Sequence, residues 1–264
     1  MSFFKQFPKV DYDLYADGAV QSVVNIFRNV RPLQNFIDNM TNYKFYTVQN
    51  GERPDIVSQR LYGTPDFYWT FFVVNEFLHD GTRAWPMSEE VLADYINTEY
   101  SGFALNTHPT LLKNSDGTVN QFVDSLSGRF KLGEQITGLT SGASGTLTIK
   151  NIDLNQLIIQ NVNGTFIAGE SVRGSITEDV VQSEEVFVYS EAPHHYFQYG
   201  DTEERHVTNR NNIDSEQAFI GAQLDYTSNR AHLRQLNDER SRIRIVKPEA
   251  MSAFVDEFER LLNA

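Results

Sequence analysis

The clearest pattern of hydrophobic and polar positions lies in residues 45–75. A short β-type run opens it, Gly51 makes a turn, and Pro54 begins a helix whose apolar positions recur at helical spacing. Gly63 is placed to end that helix, because glycine adopts the left-handed conformation of a helix C-terminus at little cost. The pattern therefore predicts a strand followed by a helix.

A second helix is predicted directly afterwards. Thr64 is the expected N-cap, Pro65 suits the first helical position, and Phe67 to Asn75 is nearly all apolar. A helix that is apolar on every face must be covered by protein. We expect Trp69 to lie in the core and the Asn75 side chain to hydrogen-bond the backbone at the helix end.

Residues 127–187 show a different pattern, in which β-branched residues alternate with polar ones between Gly and Ser turns. Within this stretch, Phe130–Gly138 returns as Phe166–Gly174, each copy with a central Gly-Glu pair. Two strand-turn units of this kind predict a small barrel or sandwich. Downstream, the pattern ends in a strand at 242–246, a turn and an amphipathic helix.

Together these elements predict an α+β protein built from several segments. The predicted segments are an N-terminal arm (1–45), a module with its following helix (46–105), a connector (106–126), an inserted small β domain with a two-fold internal repeat (127–187), and a C-terminal segment (188–264) that ends in strand, turn and helix.

Composition narrows the classes of function. The net charge of −13 and the pI near 4.9 argue against a nucleic-acid partner, since phosphate binding needs clustered Lys and Arg. The absence of cysteine excludes disulfides, thiolate metal sites and cysteine nucleophiles. The sequence has no apolar run long enough to predict a membrane span or an export signal.

The residue types that carry catalysis or bind metals form no convincing pattern. His194 and His195 lie near several acidic residues, but neighbouring residues of a strand point to opposite faces, and no HExxH motif supports them. The stretch Ser141–Gly145 indicates a β turn, not a nucleophile elbow. We therefore expect no catalytic residue, no cofactor and no metal.

The stretch Tyr46–Asn75 resembles a lysin-motif (LysM) module, whose layout is βααβ. The resemblance assigns structural positions to Gly51, Gly63, Trp69 and Asn75. Many LysM modules bind N-acetylglucosamine polymers, which makes a peptidoglycan-binding module of a cell-wall-directed protein the alternative function. The nearly all-apolar second helix argues against an open glycan groove, because it requires protein around it.

Three separated segments also resemble one family, the baseplate wedge protein called gene product fifty-three of contractile-tailed, T-even-like phages. The segments are Asn25–Val30, Arg53–Asn75 and Ile243–Leu262, and their order matches that of the family. The β insert is the departure, since the T-even member has no obvious counterpart there.

The resemblance implies a non-enzymatic structural subunit of the virion, assembled in the host cytoplasm into the tail baseplate. It would bind the wedge core bundle, help to join neighbouring wedges and contact the sheath initiator, with no nucleic-acid, membrane or cofactor partner. The candidate protein-interface residues are Phe27, Arg28, Tyr62, Tyr68, Phe71, Phe77, Phe254 and Phe258.

Overall fold

A computed structural model describes residues 7–25, 40–107, 126, 128–152, 154–198 and 224–263 of the 264-residue chain. The chain divides into two compact units. Unit 1 contains Met1–Leu92 and Leu236–Ala264, and unit 2 contains Ala93–Gln235.

Among the described residues the secondary structure is mixed α and β. The helices are α1 (Pro54–Tyr62), α2 (Trp69–Val74), α3 (Glu89–Glu99), α4 (Asn229–Ser241) and α5 (Met251–Asn263). The strands are β1 (Lys9–Tyr12), β2 (Gln21–Val24), β3 (Tyr43–Thr47), β4 (Phe103–Asn106), β5 (Gln135–Gly138), β6 (Ser144–Asn151), β7 (Gln156–Asn163), β8 (Ser171–Gly174), β9 (Val180–Gln182), β10 (Glu185–Val188), β11 (Pro193–Gln198), β12 (Leu224–Ser228) and β13 (Arg242–Val246). No helix in these ranges is both long and apolar enough to cross a bilayer.

The central sheet of unit 1 has two strands from opposite ends of the sequence. Strand β3 pairs antiparallel with β13, from Tyr43 opposite Val246 to Thr47 opposite Arg242. Strand β4, which follows the helices along the chain, joins another sheet in unit 2. The contiguous βααβ arrangement of a LysM module is therefore not confirmed. Strand pairing follows the match of edges and apolar faces in the folded chain, and sequence proximity does not fix it.

Helix α1 begins and ends as its sequence predicts. Pro54 occupies its first turn, and Gly63 follows its last residue with φ 74°, donating its N–H to the Gln59 carbonyl at 3.0 Å. Thr64 caps the following turn, but that turn is a 3-10 helix over Pro65–Phe67. Helix α2 consequently starts at Trp69 and is shorter than the apolar run suggests.

Unit 2 is built on a seven-stranded antiparallel sheet that curls into a half-barrel. The strand order is β10-β4-β7-β6-β5-β8-β9. Its core is aliphatic, with Phe130 and Phe166 as the repeated aromatic anchors, both 3% exposed. A separate two-stranded sheet pairs β11 with β12.

In the internal repeat, the glutamate of each copy hydrogen-bonds the loop that follows the other copy. Glu134 accepts a hydrogen bond from Lys131 N within its own turn, at 2.6 Å, and two more from Ile176 N and Thr177 N, at 3.0 and 3.1 Å. These last two donors lie just after the second copy. The carboxylate therefore ties the loop after β8 to the first turn.

Glu170 makes the reciprocal connection. It accepts from Ile167 N in its own turn at 2.7 Å, and from Thr140 N and Ser141 N, just after the first copy, at 3.2 and 2.9 Å. Burial alone would raise the pKa of each carboxyl, but these backbone donors outweigh burial and lower it. The two copies are thus joined by a pair of buried, ionised side chains.

Candidate interaction surface

An apolar groove of about 520 Å³ lies in unit 1, beside the start of α1. Its apolar lining comes from Tyr68, Trp85, Met87 and Val91, and the full lining is Gly51, Glu52, Arg53, Pro54, Asp55, Tyr68, Thr82, Trp85, Pro86, Met87, Ser88 and Val91. The Val91 side chain is 55% exposed, so one wall of the groove is open to solvent. An open apolar groove with a polar rim is a typical site for a protein partner.

The groove is held by contacts within unit 1. The Trp85 indole N–H donates to the Glu52 carbonyl at 2.7 Å, and its ring lies 5.9 Å from that of Phe71. Met87 exchanges hydrogen bonds with the Asn237 side chain, at 2.8 and 3.2 Å. The rim carries Arg53, paired with Asp55 at 3.1 Å. Its floor is therefore preformed.

Two of the candidate interface residues reach the surface of unit 1. Tyr68 is half-buried, lines the groove and packs edge-on against Phe72. Phe77 is 43% exposed. Both can contact another protein without any change in the fold.

Phe71 lies inside unit 1, and the partly buried Tyr62 packs against it. Phe71 is fully buried and stacks on Tyr62 at 6.2 Å between ring centroids. The Tyr62 hydroxyl donates to the Val246 carbonyl of β13 at 2.8 Å, and burial raises the pKa of this phenol. These two rings stabilise the chain's own core.

Phe254 and Phe258 belong to the same core. They lie on the inner face of α5, are 1% and 2% exposed, and pack against Trp69 with centroids 6.0 and 4.6 Å away. Trp69 itself is 4% exposed. The apolar stripe of the C-terminal helix is thus covered within unit 1. Phe27 and Arg28 lie outside the described residues.

Asn75 connects the end of α2 to β13. Its amide N–H group donates to the carbonyls of Phe71 and Arg244 at 2.7 and 2.8 Å, and its oxygen accepts from Arg244 N at 2.8 Å. The sequence led us to expect a bond to the helix end alone. The bonds to β13 could not be anticipated, because that strand is distant in sequence. Gly51, with φ 74°, lines the groove.

A second apolar surface was not singled out by the sequence. Strands β1 and β2 form a two-stranded ribbon whose apolar side chains are exposed, with Tyr15 in the connecting loop 74% exposed. The Asp13 carboxylate accepts from Gly18 N at 2.8 Å and from Tyr15 N at 3.2 Å, which holds the loop. The exposed apolar residues are Val10, Tyr12, Leu14, Tyr15, Val20 and Val24.

Within the described ranges, few side chains that could carry catalysis or bind a metal lie close together. The Ser141 hydroxyl donates to Glu170 at 2.9 Å, so it serves the loop contact described above. Among those residues, one group has metal-ligand character: His194, His195 and His232 in unit 2 have ring nitrogens within 4.8 Å of one another. The sequence draws attention to the first two only, because His232 is remote from them.

Preformed exposed apolar surfaces are typical of a protein that binds other proteins. The comparison with known families gives the same class: residues 2–107 match the phage family described as base plate wedge protein 53, which supports a structural protein of the bacteriophage virion located in the tail baseplate. The match covers less than half of the chain and includes β1 to β4 with α1 to α3. No curated protein matches the chain.

Proposed function

We propose that this protein is a subunit of a phage tail baseplate wedge that binds the wedge core and helps to join adjacent wedges into the baseplate ring. The match of residues 2–107 to the base plate wedge family carries the proposal. Assembly would take place in the host cytoplasm before the tail is complete. The proposed partners are other wedge and tail proteins.

Two surfaces within the matched residues are suited to such contacts. The groove offers Tyr68 and Val91, and the β1–β2 ribbon offers Tyr12 and Tyr15, which are 58% and 74% exposed. Aromatic anchors at the centre of an interface typically contribute about 2 kcal/mol or more each. The net charge of −13 favours partners with basic patches, so assembly should weaken as salt is added.

Velocity sedimentation of the purified wedge core complex, with and without this protein, tests the proposal. We expect a heavier species that requires the protein. Tyr68→Ala and the double change Tyr12→Ala, Tyr15→Ala should reduce it. Leu132→Ala is the matched control, because Leu132 is 63% exposed but lies outside the matched residues.

The outcomes separate the two hypotheses that the sequence supports. If the folded wild-type protein produces no heavier species, the wedge proposal is wrong. Sedimentation of the same protein with purified peptidoglycan would then support the glycan-binding alternative. If Leu132→Ala weakens assembly as much as the groove and ribbon variants do, these two surfaces are not the specific contacts.

A further inference from the structure

We propose that His194, His195 and His232 form a binding site for a late first-row divalent metal ion, with Zn²⁺ as its representative. Imidazole nitrogens suit this class of ion, and three protein ligands with one further position are a common zinc arrangement. All three residues belong to unit 2. The site is independent of the groove, the ribbon and the wedge proposal.

A β-bulge removes the sequence-based objection to this site. Pro193 pairs with Ser228 and His195 with Thr227, so His194 is an extra residue in β11. A bulge interrupts the alternation of side chains and re-aims them. The Nδ1 atoms of the two histidines consequently lie 2.9 Å apart, on the same side.

The third imidazole comes from the first turn of α4. The His232 ring stacks on that of His194, with centroids 3.8 Å apart and planes 13° from parallel. Around a tetrahedral ion with bonds of about 2.0–2.1 Å, ligand nitrogens are roughly 3.3 Å apart. The ligand nitrogens of the three residues lie within 4.8 Å of one another. Binding therefore requires rotations about side-chain bonds that bring them to the tetrahedral spacing and turn the stacked His194 and His232 rings toward one ion.

The surrounding hydrogen bonds fix the two elements that carry the ligands. Asn229 donates its N–H to the Ala192 carbonyl at 3.0 Å and its side-chain amide to the Tyr189 carbonyl at 2.8 Å. Ser228 caps α4 through Ala231 N at 3.2 Å. Strand β11 and the start of α4 are therefore held together before any ion binds.

Among the described residues, the charged side chains adjacent to the ligands in sequence include an ion pair. Arg230, next to the helix start, is hydrogen-bonded to the Glu191 carboxylate and also donates to the Ser190 hydroxyl at 3.1 Å. The pair is locally neutral. His195 is 7% exposed, so an ion there would be partly shielded from water and competing ligands.

Equilibrium dialysis of the tag-free full chain against Zn²⁺, with metal content measured by mass spectrometry, tests the site. We expect stoichiometric binding and tetrahedral Co²⁺ absorption after substitution. His194→Ala and His232→Gln should weaken Zn²⁺ affinity at least about tenfold, since loss of even a supporting group costs that much. They should also abolish the rise in melting temperature that Zn²⁺ gives the wild type.

Two controls make the test specific. His79→Ala removes an imidazole that is 75% exposed and is not one of the three residues of the cluster, and it should leave binding unchanged. The double change His108→Ala, His206→Ala, at positions outside the described residues, should also retain binding. Absence of stoichiometric binding by the wild type, or wild-type affinity in folded His232→Gln, would overturn the proposal.

Discussion

Unit 1 joins segments from the two ends of the sequence through aromatic side chains and one uncharged amide, whereas unit 2 joins neighbouring loops through two ionised carboxylates. In unit 1, Trp69 packs on α5 and Asn75 bonds to β13. In unit 2, Glu134 and Glu170 each accept backbone N–H groups from the loop that follows the other copy of the repeat. The first arrangement should be insensitive to mild acid, and the second should depend on pH.

The two tryptophans allow the units to be followed separately. The chain has only Trp69 and Trp85, and both lie in unit 1, so tryptophan fluorescence reports the unfolding of that unit. Hydrogen exchange of peptides from residues 128–182 reports unit 2. Each change below is expected to act on one of these signals and to leave the other unchanged.

The largest expected effect is that of Phe254→Ala. It removes a ring that is 1% exposed and packed on Trp69, so it leaves a cavity between α5 and α2. We expect the free energy of unfolding of unit 1 to fall by about 4 kcal/mol, measured by denaturant titration of tryptophan fluorescence. Phe77→Ala, the same change at a 43% exposed position, should cost much less. Equal losses would contradict the packing described for α5.

Asn75→Ala should have the next largest effect. Asn75 is 3% exposed. The change removes the amide that bonds to the Arg244 N–H and to the carbonyls of Phe71 and Arg244. The expected loss is about 3 kcal/mol in the same fluorescence measurement. Asn263→Ala is the control, because that side chain donates within its own helix, to the Glu259 carbonyl. A neutral Asn75→Ala would show that the amide is not needed for the pairing of β13.

The pairing that Asn75 supports also marks the limit of sequence reasoning. Local signals give the beginning and end of α1, the amphipathic α5, and the two Gly-Glu turns, because each depends on residues a few positions apart. They do not give the pairing of β3 with β13 or the entry of β4 into the large sheet, since many registers satisfy the same alternation.

The surfaces show the same contrast between local features, which the sequence predicts, and tertiary contacts, which it does not. The apolar run of α2 predicts burial, and Trp69 and Phe71 are buried, but the sequence grouped Phe71 with the half-buried Tyr68 among the candidate interface residues. The exposure of the β1–β2 ribbon in the described part of the chain depends on tertiary packing. The bulge at His194 and the approach of His232 depend on strand register and on the start of α4. Local periodicity predicts none of these exposures and contacts.

Glu134→Gln should weaken unit 2. Both carboxylate oxygens accept N–H groups, so an amide places a donor against Lys131 N or against Ile176 N and Thr177 N. We expect a loss of about 2 kcal/mol and faster exchange in residues 128–182 at neutral pH. Glu170→Gln should act in the same way. Glu184→Gln, at an exposed position, is the control.

The pH dependence of the wild type follows from the lowered pKa of each glutamate. A carboxyl whose pKa is lower in the folded state stabilises the fold above its unfolded pKa, near the ordinary value of 4.5. This stabilisation is lost as the pH falls below that value and through the folded pKa. Unit 2 should therefore loosen in acid, and Glu134→Gln should flatten the dependence. A pH-independent wild type would contradict the ionised pairing.

Gly63→Ala has the smallest expected effect and separates backbone strain from packing. A Cβ at this position would meet no atom within 4 Å, so the cost arises only from φ +74°. An L-residue in this conformation costs about 1 kcal/mol, which should appear in tryptophan fluorescence alone. Gly63→Asn is the matched control, because asparagine tolerates the left-handed conformation and should recover most of the loss. If both variants lose equally, the helix end is sensitive to side-chain bulk, and the open space beside Gly63 is occupied when the protein is in solution.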